Sequence, residues 1–457
     1  MNILSDNKPI DIFYNASKKL NDAVEHTLGP NGTNTAVVTK DGFYDIINDG
    51  KSIIESLTSL DAEEYPALNT LKQASFETNR KAGDGTTSTI ILMHQLLSGA
   101  RDYLKEHPET SPVELRIILE ESRDEVLKYI KRHSKNVSKS QYKNIVKVSL
   151  GSNKNADVIV DAYKFLNKGQ RPTLIKSDID TVVGEKTDGL LLNKVDIVPG
   201  LFSETQEFND FLVVCLYEEI NRLPEITQFI RLCLTKNKPV LLLYREMSVS
   251  VLENLLLNYT QGAANILPIR LGGYGNNTLS LMNTIAEYTE CSVIDGSELR
   301  ISQVNNITFG SANYATLTSN SLLIKCDKNL QKFSKNCLQM SDKSYIIRIG
   351  DSNKVAREEV YRRIEDAVNS LGNAIESGIT LGGGHTYRNA ATILTNTPNF
   401  VISALSYIAN KLNLSEEDII ENKIFDASSV STEVVKNAFT MVAQVITTNK
   451  IIHDNVR

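Results

Sequence analysis

The most constraining feature of this sequence is where its two hydrophobic patterns lie. Helical periodicity fills both ends of the chain, whereas the middle alternates short apolar runs with helical segments. Runs typical of strands occupy 210–217, 239–244 and 266–270, and helical patterns separate them. This alternation predicts an α/β unit with a largely parallel sheet. We therefore expect an α/β segment inserted into an α-helical domain that is built from both chain ends.

The composition of the chain excludes several classes of protein. The length of 457 residues predicts two to four domains, and 41% apolar with 23% charged residues is ordinary for a folded protein. A net charge of −6 gives no electrostatic footprint for nucleic acid. No apolar run approaches the ~20 residues that span a membrane. The 5 cysteines are widely spaced, which predicts neither a disulfide framework nor a zinc site and favours a cytoplasmic location.

The sharpest local motif is AGDGTTS at 82–88, directly before an apolar helical run. The first N–H groups of a helix lack intrahelical acceptors and carry partial positive charge, so this turn could cradle phosphate. Asp84 would repel bare phosphate, which a bridging Mg²⁺ would resolve. The same residue types also make an ordinary helix N-cap, and the heptad alone leaves both interpretations open.

Other candidate turns are less specific. Glycine-containing turns at 28–32, 48–50 and 382–384 permit close backbone approach to a phosphate, but each is equally typical of a plain turn or helix end. Asp366 lies in a charged helical pattern at 354–377, where nothing local distinguishes it from a solvated acid.

The order and spacing of these motifs resemble the group I, GroEL-like chaperonins. The matching segments are TLGPNG at 27–32, NDG at 48–50, AGDGTTS at 82–88, IEDAV at 364–368, GITLGGG at 378–384, FDASSV at 425–430 and TTNK at 447–450. The resemblance implies a multidomain α+β fold with chaperonin architecture. The implied domains are an equatorial ATP-binding domain at 1–133 and 378–457, an intermediate domain at 134–188 and 343–377, and an apical client-binding α/β domain at 189–342.

The resemblance also implies residue roles. Asp366 and Asp49 would be the acids near the γ-phosphate, with Asp366 activating the attacking water, and Asp84 would hold the metal. The residues implied to contact ATP are Thr27, Leu28, Gly29, Pro30, Gly50, Asp84, Gly85, Thr86, Thr87, Ser88, Gly383 and Asp426. ATP and Mg²⁺ are therefore the expected cofactors, and K⁺ is a further candidate.

One helix of the α/β segment, at 249–261, is apolar almost all round, more than one buried stripe requires. The helix is either buried on two sides or exposes an apolar face. The resemblance favours an exposed face that binds unfolded proteins. The implied client-binding residues are Leu252, Leu256 and Leu257 on this helix and Ile226 and Ile230 on the preceding one.

The resemblance implies a homo-oligomeric ring, expected to be seven-fold, with a co-chaperonin lid as a further candidate partner and with neither nucleic acid nor membrane as partners. The chain is shorter than the family between Gly384 and Asp426, where the family's ring–ring contacts lie. This difference predicts a single ring, or a double ring that comes apart during the cycle. A trimmed but motif-complete chain predicts a phage gene acting in the host cytoplasm.

Two alternatives remain. One is a ring scaffold that binds a specific protein with little or no ATPase activity. The retention of Asp49, Asp84 and Asp366 favours an active ATPase over that scaffold. The other is an unrelated nucleotide enzyme, which the lack of a Walker or kinase motif disfavours.

Overall fold

The computed structural model describes residues 2–4, 9–29, 32–38, 44–47, 49–58, 64–151, 154–187, 189–193, 195–196, 205–271, 276–318, 321–326, 340–341 and 344–453. The chain divides into two compact units. The first comprises 1–164, 168–171 and 353–457, and the second comprises 165–167 and 172–352. The second unit is thus inserted into the first, as the sequence predicts. The finer division into three domains stays a prediction.

The N-terminal part forms β1 (Asn2–Leu4), α1 (Pro9–Val24), a 3₁₀ turn (Glu25–Thr27), β2 (Thr35–Val38), β3 (Tyr44–Ile47), α2 (Gly50–Ser56), α3 (Glu64–Ala82), α4 (Thr86–Glu106), α5 (Pro112–His133), α6 (Tyr142–Leu150) and α7 (Ala156–Phe165). The middle part forms β4 (Thr173–Lys176), β5 (Val182–Thr187), β6 (Leu190–Asn193), β7 (Val195–Asp196), β8 (Gln206–Leu216), α8 (Leu223–Thr235), β9 (Val240–Tyr244), α9 (Val249–Thr260), β10 (Ile266–Leu271), α10 (Asn276–Thr289), β11 (Val293–Ile294), a 3₁₀ turn (Val304–Asn306), β12 (Gly310–Leu317), β13 (Ser321–Lys325), β14 (Met340–Ser341) and β15 (Ser344–Ile349). The C-terminal part forms α11 (Lys354–Ser377), β16 (Ile379–Leu381), α12 (His385–Ala391), α13 (Asn399–Leu412), α14 (Glu416–Glu421), β17 (Phe425–Ala427), α15 (Ser428–Ile446) and β18 (Ile451–His453).

Helix α4 is the centre of the first unit. Every residue from Thr89 to His94 is buried, as are Leu96 and Leu97, because α1, α3, α13 and α15 pack around it. A helix that is apolar on all sides must be enclosed in this way. The start of α4, where the GDGTT motif lies, is therefore held by the core of the unit. The short antiparallel pair of β1 with β18 joins the two chain ends, and the pair of β16 with β17 joins two segments of the C-terminal part.

The second unit is built on a nine-stranded mixed sheet in the order β14-β6-β13-β12-β8-β9-β10-β7, with β11 beside β8. Strands β8, β9 and β10 are parallel, but β12, β13, β6, β7 and β14 pair antiparallel. The prediction of a largely parallel sheet is thus wrong outside β8–β11. Helical crossovers connect the parallel strands, whereas only three residues separate β12 from β13, and so short a connection requires antiparallel pairing.

Helices cover both faces of this sheet. Side chains of α8 and α9, such as Phe229 and Leu255, pack on one face, and side chains of α10, such as Met282 and Tyr288, pack on the other. A smaller sheet in the order β4-β15-β5 completes the unit. Within the described part of the chain, no helix is both long enough and apolar enough to cross a membrane.

Candidate functional site

The GDGTT turn brings Asp84 to the start of α4. Gly83 and Gly85 both have positive φ, 64° and 91°, which glycine adopts without strain. A Cβ at Gly85 would lie 2.9 Å from carbon atoms of Val430 and Val434 on α15. Neither backbone conformation nor space therefore admits another residue at position 85. Thr86, Thr87 and Ser88 then form the first turn of α4, whose N–H groups have no intrahelical acceptor.

A second helix start lies beside the first. The Asp49 carboxylate caps α2 by accepting from the backbone N–H groups of Lys51 (3.1 Å) and Ser52 (2.9 Å) and from the Ser52 hydroxyl (2.5 Å). Gly50 packs so closely on α4 that a Cβ there would lie 2.2 Å from Thr87 Oγ1. The partial positive ends of two helices thus adjoin, an arrangement that favours an anion.

Helix α11 supplies a polar face to the same turn. The Ser370 hydroxyl donates to Asp84 Oδ2 (3.2 Å), and the Gly85 N–H donates to Asp84 Oδ1 (2.5 Å). The Asn369 amide donates to the Gly83 carbonyl (3.4 Å). Asp366 lies three and four residues before these side chains, on the same face of the helix. The predicted water-activating acid therefore lies on the face of α11 that contacts the turn.

The carboxylates in this region perturb one another. Burial is the main cause that raises the pKa of Asp84, Asp366 and Asp426. The Asp84 charge further raises the pKa of the other two, and Asp49 raises the pKa of Asp84 and Asp366, whereas Lys51 opposes the shift of Asp366. The pKa of Asp426 reaches about 7. Asp84 is thus the centre of a group of mutually repelling acids, a situation that a bound cation would relieve.

The donor set fits Mg²⁺ held together with a phosphate. Among the described residues, no group of at least 3 His, Cys, Asp or Glu side chains is placed so that it could hold a metal ion. Mg²⁺ is commonly bound through one or two carboxylates and the phosphates of its substrate, so a lone ligand at Asp84 suffices. Asp84 is largely enclosed, but part of its surface is exposed directly before the start of α4, where such a complex would approach it.

The predicted nucleoside contacts lie together near the end of β16. Asp426 on β17 pairs with Thr380, and a Cβ at Gly382 would lie 3.2 Å from Asp426 Oδ1. Gly383 follows in this turn with a φ of 60°. The Asp84 charge raises the pKa of Asp426, which links this turn to the GDGTT turn.

The predicted phosphate residues after α1 lie in and after its terminal 3₁₀ turn, which contacts α4. The Thr27 hydroxyl donates to the Val24 carbonyl (2.7 Å), and the Leu28 N–H donates to the Glu25 carbonyl (3.4 Å). Gly29 packs on Leu412. These bonds fix the turn, but they do not bring it into contact with Asp84. Pro30 lies outside the described residues.

The predicted client-binding residues divide into core and surface. Ile226 is 0% exposed and belongs to the core under α8, so its prediction as a client contact is wrong: this stripe of the helix faces the sheet. Ile230 and Leu252 are half-buried against the same core. Leu256 is half-buried, and Leu257 is 54% exposed. Val249, which the sequence analysis did not select, is 70% exposed.

Sequence analysis also missed the polar side chains that share the helix face of Asp366. Asn369, Ser370 and Asn373 share its helix face at spacings of three, four and seven residues, while Ile364, Ala367, Val368 and Leu371 are buried. A polar stripe beside an apolar stripe indicates that the polar side chains of a helix face other parts of the protein, so these residues could have been found from the sequence. The charged residues at the start of this helix obscured this pattern.

The sequence is similar to those of known chaperonins. A sequence model of the TCP-1/cpn60 chaperonin family matches residues 20–210. A chaperonin GroEL of Mycoplasmoides gallisepticum is 26% identical over 458 residues, covering 92% of this chain and 84% of that protein. These matches support a GroEL-like chaperonin. The alpha subunit of a chloroplast RuBisCO large subunit-binding protein from Chlamydomonas reinhardtii is 24% identical, covering 80% of this chain and 68% of that protein.

The fold is similar to that of a chaperonin of known structure. A crystal structure of the chaperonin gp146 from the bacteriophage EL of Pseudomonas aeruginosa, determined in the presence of ATP-BeFx, matches with a TM-score of 0.71 and covers 100% of both chains. The sequence identity is 16%, so this similarity shows the fold. The predicted multidomain α+β chaperonin fold is confirmed, whereas the roles of individual residues and the phage origin stay predictions.

The pKa of Asp426 predicts that the stability of this protein depends on pH. Because the folded-state pKa of about 7 exceeds the ordinary 3.8, the folded chain holds a proton that the unfolded chain loses. Its contribution to stability is present at low pH and is lost as the pH rises through about 7. Asp426→Asn should therefore raise the melting temperature of the nucleotide-free protein near pH 8 more than near pH 5.

Differential scanning calorimetry at the two pH values measures this difference. Asp157→Asn is the control, since Asp157 is exposed and its pKa is lowered, first of all by a hydrogen bond from Lys143. This variant should give no such gain. An equal shift for Asp426→Asn at both pH values would contradict the prediction.

Proposed function

We propose that this chaperonin binds ATP beside Asp84, hydrolyses it with Asp366, and uses the cycle to assist the folding of proteins held on α8 and α9. The observation that supports this proposal is the group of acids with raised pKa around two adjoining helix starts. Acids that repel one another persist where a ligand or a reaction needs them. A homo-oligomeric ring, seven-fold by analogy, a co-chaperonin lid, bound K⁺ and a cytoplasmic location belong to the same proposal.

A few residues of the chain would bind the metal ion and the phosphates for ATP hydrolysis. Bound Mg²⁺ supplies positive charge that neutralises the phosphates. Asp84 would hold this ion, and the N–H and hydroxyl groups of Thr86, Thr87 and Ser88 would donate to phosphate oxygens. Asp49 is already fixed by its capping bonds at the adjoining helix start. Positioning and charge stabilisation of this kind account for most of the catalysis of phosphoryl transfer.

Asp366 suits the role of general base. Burial and the nearby acids raise its pKa well above the ordinary range of a carboxyl group. A raised pKa makes the ionised Asp366 carboxylate a stronger base toward water than an ordinary carboxylate is. Gly383 and Asp426 would contact the nucleoside at the other end of the site.

The first test removes the proposed base. Asp366→Ala should lower the rate of ATP hydrolysis by about 10²–10⁴-fold, the usual contribution of general-base catalysis, while nucleotide still binds. Single-turnover hydrolysis and equilibrium binding of a fluorescent ATP analogue measure the two effects separately. Glu376→Ala, an exposed acid near the other end of α11, is the control and should turn over normally. Unchanged hydrolysis by Asp366→Ala would contradict the assignment, and a wild-type chain without turnover would favour the ring scaffold.

The client-binding part of the proposal depends on exposed apolar side chains. Leu257 and Val249 on α9, and Leu223 and Leu234 on α8, are each at least 38% exposed. Both helices pack on the same face of the sheet, so these side chains belong to one layer of the unit. Covering each apolar side chain is worth roughly 1–3 kcal/mol. Several such contacts suffice to retain a non-native polypeptide without a specific sequence.

The second test removes this surface without touching the core. Val249→Ser with Leu257→Ser should abolish capture of a chemically denatured client and leave ATP hydrolysis intact. Val355→Ser is the matched control, because Val355 is 67% exposed in the first turn of α11, as Val249 is 70% exposed in the first turn of α9. Suppression of client aggregation, monitored by light scattering, measures capture. Undiminished suppression by the double variant would show that clients bind elsewhere.

A further inference from the structure

Arg171 is tied to α11 by a two-pronged hydrogen bond. Its Nη1 donates to Asn369 Oδ1 and its Nη2 donates to Asn373 Oδ1, both at 2.6 Å. The two asparagines are four residues apart, so their amides lie one above the other on a single helix face. The planar guanidinium is suited to spanning two such acceptors, which the single ammonium of a lysine does not match.

The same two asparagines hold the GDGTT turn from the other side. The Asn369 amide nitrogen donates to the Gly83 carbonyl (3.4 Å), and that of Asn373 donates to the Ala82 carbonyl. A guanidinium has donors and no acceptor, so it turns both amide oxygens toward itself. Both NH₂ groups are then left for the two carbonyls that precede Asp84. Arg171 thus determines which way each amide points.

Close packing restricts the side chains of Arg171 and Asn373. Asn373 is 5% exposed, so an amide that lost its partners would be buried without them. Gly372 lets Arg171 approach: a Cβ there would lie 3.1 Å from Arg171 Nε and 2.6 Å from the Tyr163 hydroxyl. That hydroxyl donates to the Val368 carbonyl on the same helix (2.7 Å).

Arg171 also has a special place in the chain. It is the last residue of the first unit before the chain enters the second unit at Pro172. Any change in the backbone at this connection moves the donor on which the orientation of both asparagines depends.

We propose that Arg171 is a positioning residue, which acts through Asn369 and Asn373 to fix the backbone of residues 82–83 and so to orient Asp84 and the phosphate-binding turn. The link from this connection to the turn requires no contact between Arg171 and the nucleotide. The catalytic consequence rests on the proposed ATPase function, but the ordering of the turn does not.

Hydrogen exchange of the nucleotide-free, full-length protein tests this ordering directly. Arg171→Ala should speed exchange of the amides at 83–88 by about tenfold or more, as expected when local opening becomes easier. Arg171→Lys should give a smaller increase and keeps the test meaningful if the alanine variant folds poorly. Arg116→Ala, which removes a surface arginine paired with Glu120, is the control and should leave these amides unchanged.

A second set of variants tests whether Arg171 acts through Asn369 and Asn373. If Arg171 acts through the asparagines, adding Arg171→Ala to Asn369→Ala/Asn373→Ala should have no further effect on exchange. In steady-state assays, Arg171→Ala should lower kcat for ATP by about tenfold with the melting temperature nearly unchanged, and Arg171→Lys should partly restore it.

Wild-type exchange at 83–88 in Arg171→Ala, or a triple variant clearly worse than the double one, would overturn the proposal. A wild-type protein without ATPase activity would refute the proposed function alone, because the exchange result does not depend on nucleotide.

Discussion

Repulsion among the carboxylates near Asp84 is the constraint on which the rest of the first unit depends. Burial and like charge raise the pKa of Asp84, Asp366 and Asp426, which means that their ionised forms destabilise the ligand-free fold. Such groups persist only where the surrounding structure holds them in place. The buried N-terminal part of α4 provides that support, because its first turn begins at the end of the GDGTT motif.

The two units use apolar surface in opposite ways. In the first unit, α4 and its neighbours bury their apolar residues so that a charged site can be held rigidly. In the second unit, the sheet has its own core on each face, so stability does not require every apolar residue of α8 and α9. Leu257 and Val249 remain exposed, which is unusual for large apolar side chains unless they meet a partner.

Sequence reasoning succeeded where the signal is local. The bounds of α11 are those that its helical pattern predicts, and α4 starts within the AGDGTTS motif as predicted, because an asparagine cap and a glycine turn start these two helices. It failed for Ile226, since a helical pattern shows that an apolar stripe exists but not which residues of a nearly all-apolar helix face the sheet. It also failed for the sheet order, because the antiparallel pairing of β12 with β8 and of β13 with β6 joins segments that are far apart in sequence. The bonds of Arg171 to α11 join residues about 200 positions apart, 198 and 202, which no local pattern can indicate.

The central claim is that the Asp84 carboxylate makes the site selective for a nucleotide that carries Mg²⁺. Calorimetric titration of ATP into wild type and Asp84→Asn, with Mg²⁺ and with a chelator, tests it most directly. Wild type should bind Mg-ATP at least about tenfold more tightly than free ATP, since the carboxylate repels bare phosphate. Asp84→Asn should bind Mg-ATP more weakly and free ATP more tightly than wild type, so that the preference shrinks or reverses. The same preference for Mg²⁺ in both proteins would contradict the account.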